Sequence, residues 1–360
     1  MKEKKNVVDQ SNRTTRKKVV KKRRLRKRVI ILLLLLILLL AVSAYGIYLY
    51  FQAQSALTDS FESDGRGNDK SALRAEGVNP KMDNVSVLIM GVDTSDKRED
   101  TGPGRTDALI YATLNKKTKS VKLVSIPRDS YVYIPEVDYS TKINHAHAHG
   151  GTKATIETVE NLFQLPVDYY VKLNFEAFID VIDTLNGIEM DVPYELKEQN
   201  SQDKSNAIHL MPGKQLLNGE EALALARTRR YDSDVERGKR QLQIIEAVVD
   251  KSVSITSLLK LDNLIKDVAS NITTNLTFKD MKSLVAYGSS TDDIDIESYS
   301  IDGYDYQPAG VYYWQLDEAS LLETRNILKE HLELTDEDVK EDPEMDVQDI
   351  EENDSQEVYN

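Results

Sequence analysis

Residues able to bind phosphate oxygens, or a metal ion that would bridge to them, gather in four short motifs. VLIMGVD ends in Asp93, GRTDALI carries Arg105 and Asp107, and VSIPRDS carries Arg128 and Asp129. ALARTRRYDSDVERGKRQ supplies Arg227, Arg229, Arg230, Arg237, Arg240 and Gln241. The first three adjoin short apolar runs, and open α/β sheets place their ligand sites at the ends of such strands. A planar guanidinium binds phosphate oxygens in pairs. Asp93 and Asp107 offer two carboxylates for Mg²⁺ (or Mn²⁺), and Mg²⁺ usually takes one or two carboxylates plus substrate phosphates. The chemistry indicated is a metal–diphosphate site. The competing reading pairs the arginines with Asp232, Asp234 and Glu236 on a solvated surface, and composition alone favours it, since exposed charge runs usually solvate.

Spacing constrains the last motif. Arg227 and Arg229 stand ~200° apart on a helix, so they reach one ligand only if the helix ends near Ala226 and the chain then runs extended. Arg237 and Gln241, at i and i+4, share a helical face that continues through Ile245 and Val248. Two long polar groups at the head of a core-facing stripe require a buried anionic partner. The helix N-terminus adds positive potential there.

A second candidate is KINHAHAHGG, Lys142 to Gly151, which holds His145, His147 and His149, three of the five histidines in the chain. On a strand these rings would point one way, as ligands of zinc do.

Strands and helices must position these groups. VSVLIM, Asp107–Asn115, Ser120–Ile126, Asp168–Leu173 and Ile188–Val192 read as strands. Helical spacing covers Gly151–Leu165, Phe175–Leu185, Glu220–Ala226, Val235–Val253, Leu258–Ile272, Phe278–Ala286 and Asp317–Leu332. Strands alternating with helices predict a layered α/β domain, placed at residues 84–334.

The 360 residues are 40% apolar, enough for a sizeable core, and include no cysteine. A disulfide framework, a thiol nucleophile and a cysteine metal site are thereby excluded. The net charge of −14 is unevenly spread. Residues 1–28 hold 14 Lys and Arg against two acids, a balance of +12, so the remainder carries −26. Thirteen acids and one lysine fall between His331 and Asn360, and residues 335–360 read as a disordered acidic tail.

Val29 to Phe51 is 23 residues without a charge. At ~1.5 Å per residue it can cross a hydrocarbon core of ~30 Å. Tyr45, Tyr48, Tyr50 and Phe51 mark an aromatic belt at its far end, and the basic flank orients residues 1–28 to the cytoplasm. The expectation is a single-pass membrane protein with a stalk at 52–83 and its domain outside the cell. Cleavage after Val42-Ser43-Ala44, as in a signal peptide, is the alternative. The basic arm has no helix-turn-helix pattern and reads as a lipid-facing orientation signal rather than a nucleic-acid reader.

The motifs GVD…GRTDALI, VKLVSIPRDSYV-IP, KINHAHAHGG, TVENLFQLPVDYYVKLNFEAF, LNGEEALALARTR and DVERGKRQ resemble, in order, those of LytR–CpsA–Psr proteins. The resemblance covers Asn84 to Val253, with a weaker trace to Leu332. It implies an α/β/α layered domain with a central mixed sheet and a pocket for a polyprenyl tail. It implies an extracytoplasmic phosphotransferase. Such an enzyme moves an anionic glycopolymer, wall teichoic acid or capsular polysaccharide, from undecaprenyl diphosphate to the C6 hydroxyl of peptidoglycan N-acetylmuramic acid. By the same resemblance Asp93 and Asp107 hold Mg²⁺, and Arg128, Arg227, Arg229, Arg237 and Gln241 hold the diphosphate, with Arg105 and Lys142 beside them. Asp93, Asp107, Arg227 and Arg237 are the expected catalytic set. Relatives commonly carry tyrosine at positions 147 and 149. Tyrosine is a poor zinc ligand, so these rings are expected to pack near a turn closed by Gly150-Gly151. A diphosphate hydrolase at the same site and a non-enzymatic membrane-bound regulator are the alternatives.

Overall fold

The computed structural model describes residues 60–67, 70–92, 104–229, 233–253, 271–289 and 294–335, together with Tyr45, Tyr48, Phe51, Gln54 and Ser55. Val85–Val92 (β1) and Thr106–Asn115 (β2) form an antiparallel pair, and Ser120–Ser125 (β3) continues it. Tyr131–Ile134 (β4) and Tyr139–Lys142 (β5) make a hairpin that leads into the helix His145–Phe163 (α1). Tyr169–Leu173 (β6) returns parallel to β1, and the helix Phe175–Thr184 (α2) follows. Four shorter strands come next: Ile188–Val192 (β7), Leu196–Glu198 (β8), Ile208–Leu210 (β9) and Gly213–Leu217 (β10). Gly219–Arg227 (α3), Asp234–Val253 (α4), Ile272–Thr274 (β11) and Phe278–Ser289 (α5) precede Asp295–Ser300 (β12). Gly303–Tyr306 (β13) and Tyr313–Leu316 (β14) form a last hairpin before Glu318–His331 (α6).

The central sheet is mixed, in the order β11-β6-β1-β2-β3-β12. Leu88, Met90, Leu109, Tyr111 and Val124 on one face pack against Ile156, Val159 and Phe163 of α1 and Leu328 of α6. Val87, Ile110, Ala112 and Leu123 on the other pack against Leu242 of α4, with Met281 and Leu284 of α5 beside them. Burial on both faces explains why β1 reads as a nearly continuous apolar run instead of alternating.

Several expectations need correcting. The three histidines lie on a helix, not a strand, because α1 begins at His145 rather than Gly151. Gly150-Gly151 does not close a turn after the histidines but interrupts the helix, with Gly151 at φ 64° and ψ −145°, a backbone position natural for glycine. Ile272 opens a strand where the helix Leu258–Ile272 was expected, and residues 258–270 of that expectation lie outside the described residues. The stalk expected at 52–83 is fastened to the domain over much of its length. Ser60 and Glu62 exchange backbone hydrogen bonds with Thr274, beside a bridge between Phe61 and Thr274. Arg66 bonds Asp64 and Glu160, each at 2.8 Å, and Arg74 grips Asp168 with Nε at 2.9 Å and Nη2 at 2.7 Å. Charges this deeply buried persist only when paired.

Met1–Tyr50 is a unit of its own, where the rings of Tyr45 and Tyr48 stack with centroids 6.4 Å apart. The expected membrane segment falls mainly outside the described residues, as do the basic arm, Asp93 and residues 336–360. Among the described residues no helix is long and apolar enough to cross a membrane.

Candidate functional site

The positioning begins at one edge of the sheet. β2 runs antiparallel to β1 and β3, so its first residues lie beside their last ones. Arg105 and Asp107 at the start of β2 thus meet Arg128 and Asp129, which follow β3. The Pro127–Ser130 loop is locked by its own turn, in which the Ser130 backbone N–H and hydroxyl donate to the Pro127 carbonyl at 3.0 and 2.6 Å. Asn144 N–H donates to the Arg128 carbonyl at 3.2 Å, and Trp314 N–H to the Asp129 carbonyl at 2.8 Å. Three separate parts of the chain therefore fix the Arg-Asp pair.

The arginine-rich motif folds as its spacing requires. α3 starts with a capping box, Asn218 with Glu221, and ends at Arg227; Thr228 is extended, at φ −60° and ψ 142°. Arg227 and Arg229 are thereby released from a common helical wheel. Arg240 of α4 donates to the carbonyls of Leu225 and Thr228 at 3.1 and 2.7 Å, and Gln241 donates to that of Ala226 at 3.2 Å. These contacts satisfy carbonyls left open at the helix end. Arg240 is thus a structural tie between α3 and α4. Gly238 lets α4 lie close on β3, since a Cβ there would stand 2.4 Å from Ser125 Oγ. The face expected to run through Ile245 and Val248 is only part of the buried surface; Leu242 and Ile244 are the most buried apolar residues of α4.

Two cavities adjoin at this edge. The first, of about 620 Å³, is lined by Asp107, Arg128, Arg227, Arg229, Arg237 and Gln241, with Glu198 and Thr228 on its wall. The second, of about 540 Å³, is lined by Arg105, Asp107, Arg128, Asp129, Lys142 and Arg229, together with Asn144, His145, Val311 and Tyr312. Asp107, Arg128 and Arg229 border both. Every member of the expected metal and diphosphate set among those described therefore lines one cavity or the other, whereas Arg240 lines neither.

Carboxylates hold the cations in place. Arg128 Nη1 donates to Asp107 Oδ1 at 2.5 Å, and Arg128 Nε lies 3.8 Å from Asp129 and 3.7 Å from Asp234. Lys142 Nζ pairs with Asp129 at 2.8 Å, Arg237 Nη2 with Asp234 at 3.1 Å, and Arg229 Nη1 approaches Asp234 at 3.9 Å. Arg227 stacks on Phe175, the guanidinium carbon 4.4 Å from the ring centroid. Arg237 is only 5% exposed, and its Nε is buried without a hydrogen-bond partner. Burial, with Arg128 and Arg229 nearby, depresses its pKa although Asp234 opposes this. Asp234 is pushed up by burial and by the neighbouring Asp129 charge, despite its arginine partners. Burial pushes Asp129 the same way but is outweighed by Lys142 and Arg128, which hold it below the usual carboxylate range. The surface pairing of Arg237 with Asp234 is thus half right: the pair exists, but it is buried and leaves donor capacity over.

Three site residues were not expected from sequence. Asp234 was assigned to a solvated surface. Tyr312 and Glu198 carried no signal, because their segments reach the site only through the β13–β14 and β8–β9 hairpins.

The zinc reading finds no support in the geometry. His147 is buried and donates from Nδ1 to the Gly104 carbonyl at 2.6 Å; burial depresses its pKa, although that hydrogen bond opposes the shift. His145 Nδ1 bonds Thr141 Oγ1 at 3.0 Å, and His149 Nε2 bonds the Tyr139 hydroxyl at 3.3 Å. Among the described residues no three His, Asp or Glu side chains group as metal ligands. A hard cation taking most of its ligands from phosphate and water fits better, since Asp107 presents a single carboxylate at the junction of the cavities.

Comparison with known proteins follows the same outline. The chain matches the LytR_cpsA_psr family over residues 47–330. It is 39% identical over 295 residues to the polyisoprenyl-teichoic acid–peptidoglycan teichoic acid transferase TagT of Bacillus subtilis, covering 81% of this chain and 90% of that protein. It is similar to a solved structure of TagT bound to LIIa-WTA, with TM-score 0.65 and 39% identity, over 75% of this chain and 98% of that one. Another, of the LytR-CPS2A-psr family protein YwtF (TagT) with bound octaprenyl pyrophosphate lipid, gives a TM-score of 0.61 at 37% identity, again over 75% and 98%. Motif order, mixed sheet and a match over most of the chain agree: the protein belongs to the LytR–CpsA–Psr family.

Proposed function

We propose that the protein transfers an anionic glycopolymer, of the wall teichoic acid class, from a polyprenyl diphosphate to a peptidoglycan hydroxyl, taken as the C6 hydroxyl of N-acetylmuramic acid. The observation that carries this reading is Arg237. A buried guanidinium with an unpartnered Nε, facing a cavity with Arg128, Arg227 and Arg229, needs an anion that brings several oxygens. A diphosphate does so. The teichoic acid transferase TagT, 39% identical, supports the choice of polymer, and capsular polysaccharide is the second donor class.

The reaction asks the protein chiefly to position and to neutralise. The acceptor oxygen attacks the phosphorus that carries the sugar, and the bond from that phosphorus to the polyprenyl phosphate breaks. Arg227, Arg229 and Arg237 stabilise charge on the leaving phosphate. Arg128, fixed by Asp107, serves both cavities and so reaches the phosphoryl group in flight. The acceptor proton passes to a carboxylate of the site. Asp107, with Asp93, would hold a Mg²⁺ or Mn²⁺ ion, which when bound would neutralise further charge on the phosphates. The Val29–Phe51 segment serves as a membrane anchor that keeps the domain beside its lipid-linked donor outside the cell.

Incubating purified protein with a defined lipid-linked polymer and peptidoglycan oligomers tests this. Mass spectrometry is expected to find polymer covalently joined to glycan through a phosphodiester. Free polymer phosphate would instead establish a hydrolase, and neither product would leave the regulator.

A further inference from the structure

The start of β2 carries Arg105 and Asp107 to the site on thin support from the sheet. Thr106 pairs with Val92 of β1 and Ala108 with Gly91, so Asp107 is the extra residue of a bulge. A bulge re-aims a side chain and breaks the ladder locally. On the other flank, among the described residues, pairing with β3 begins only at Leu109 and Ile110. The histidine turn at the head of α1 reaches the same segment from outside the sheet. His147, 4% exposed, donates from Nδ1 to the Gly104 carbonyl at 2.6 Å, and its Nε2 is buried without a hydrogen-bond partner. Just before it, the N–H groups of Ile143 and Asn144 donate to the carbonyls of Ser130 and Arg128 at 2.9 and 3.2 Å. Ala146 is fully buried in the core cluster, and the break at Gly150-Gly151 sets this turn apart from the regular helix that follows.

We infer that His147 is a positioning residue: through Nδ1 it fixes the bulged start of β2, and its turn ties that segment to the Arg128–Ser130 loop across the site. The acceptor is a backbone carbonyl, so a proton must sit on Nδ1. An apolar side chain would fill the same space without burying an orphan nitrogen, which is a net cost. What the imidazole adds is the bond to Gly104. Gly104 lies before the bulge, and the regular ladder lies after it. With the segment held on both sides, Asp107 presents its carboxylate in one direction, to Arg128 Nη1 at 2.5 Å. Released at Gly104, the strand would keep its pairing from Ala108 onward while Arg105 and Asp107 lost their fixed aim. Arg227 and Arg237 stand on α3 and α4, whose tie through Arg240 does not pass through His147. The inference rests on the transferase reading for its effect on turnover, whereas the brace itself is a property of the free protein.

The test compares wild type, His147→Leu and His147→Asn, the last carrying a side-chain N–H where Nδ1–H stands. Hydrogen exchange of the ligand-free protein, read by mass spectrometry, is the first measurement. His147→Leu is expected to speed exchange over residues 104–108 about tenfold while residues 109–115 keep wild-type rates, and His147→Asn to restore protection. In transfer kinetics His147→Leu is expected to lower kcat about tenfold with the donor KM unchanged, and His147→Asn to recover it. Octaprenyl diphosphate should bind all three proteins alike in calorimetry. Should His147→Leu not fold, His147→Gln takes its place, because its donor stands at Nε2 and not at Nδ1. Unchanged exchange over 104–108 would overturn the inference, as would a uniform rise across the domain, which marks a packing residue only. An asparagine variant no better than the leucine one, or faster exchange with undiminished kcat, would also overturn it. If the wild type transfers no polymer, the transferase reading fails, and the exchange data still decide whether His147 braces β2.

Discussion

Replacing Arg237 by methionine keeps the apolar stem and removes the buried guanidinium. Removing one preorganised donor aimed at transition-state charge costs ~3–4 kcal/mol, or roughly 10²–10³ in kcat. The upper part of that range applies here, because the side chain is 5% exposed and water does not replace it readily. Stability should suffer far less. Asp234 loses the 3.1 Å bond but keeps Arg128 at 3.7 Å and Arg229 at 3.9 Å. A lost hydrogen bond of this kind costs ~1–2 kcal/mol, and relief of a buried charge offsets part of it. Single-turnover transfer from a lipid-linked donor, with thermal unfolding in parallel, reads both quantities. A folded Arg237→Met variant turning over within threefold of wild type would refute the assignment of Arg237 to the leaving phosphate.

Four further outcomes follow from the same geometry. Arg128→Ala, which breaks the 2.5 Å link to Asp107, should lower single-turnover transfer at least a hundredfold while circular dichroism stays native. Chelation with EDTA should abolish transfer, and titrating Mg²⁺ or Mn²⁺ back should restore it in wild type but weakly in Asp107→Asn; full activity in EDTA would remove the metal from the proposal. Arg66→Ala leaves Glu160 buried beside no cation, and breaking such a pair costs ~3–5 kcal/mol, so urea unfolding should shift to a much lower midpoint. His331 is buried between Thr113 and Ser120, and burial holds its pKa down to about 4 from 6.5. The unfolded chain binds the proton first, so stability is full above about pH 6.5 and falls between there and pH 4, by on the order of 3 kcal/mol. Replacing His331 by glutamine should flatten that stretch of the stability curve.

What sequence reading could see depended on how local the cause was. Strand β1 and helices α2 and α3 announce themselves by unbroken apolar runs or helical spacing, so their extents differ from expectation by two residues or fewer. The extended break after Arg227 followed from the wish to aim two arginines at one ligand, and Thr228 provides it. The histidines misled because alternation by two is natural on a strand, whereas the helix is held by burial of Ala146 and His147, with no side-chain cap from Asn144 before them. The stalk looked like a linker because its polar residues outnumber its apolar ones. Its attachment comes from ion pairs with partners 94 residues away, which no local pattern reveals. Tyr312 is of the same kind, since its role depends on a hairpin folding back to Lys142.

The interleaved carboxylates make the site behave as an ion-exchange bed rather than a trap. Among the described residues six cations, Arg105, Arg128, Lys142, Arg227, Arg229 and Arg237, share the two cavities with Asp107, Asp129, Glu198 and the adjacent Asp234. An unopposed bed of six would retain the spent polyprenyl phosphate, and the enzyme would stall on its own product. With four counter-charges fixed in the resin, Arg128, Arg229, Arg237 and Lys142 already have somewhere to return when the phosphate departs. Elution is therefore built into the same contacts that load the column, and stripping out the acids should slow the release of product before it harms capture of substrate.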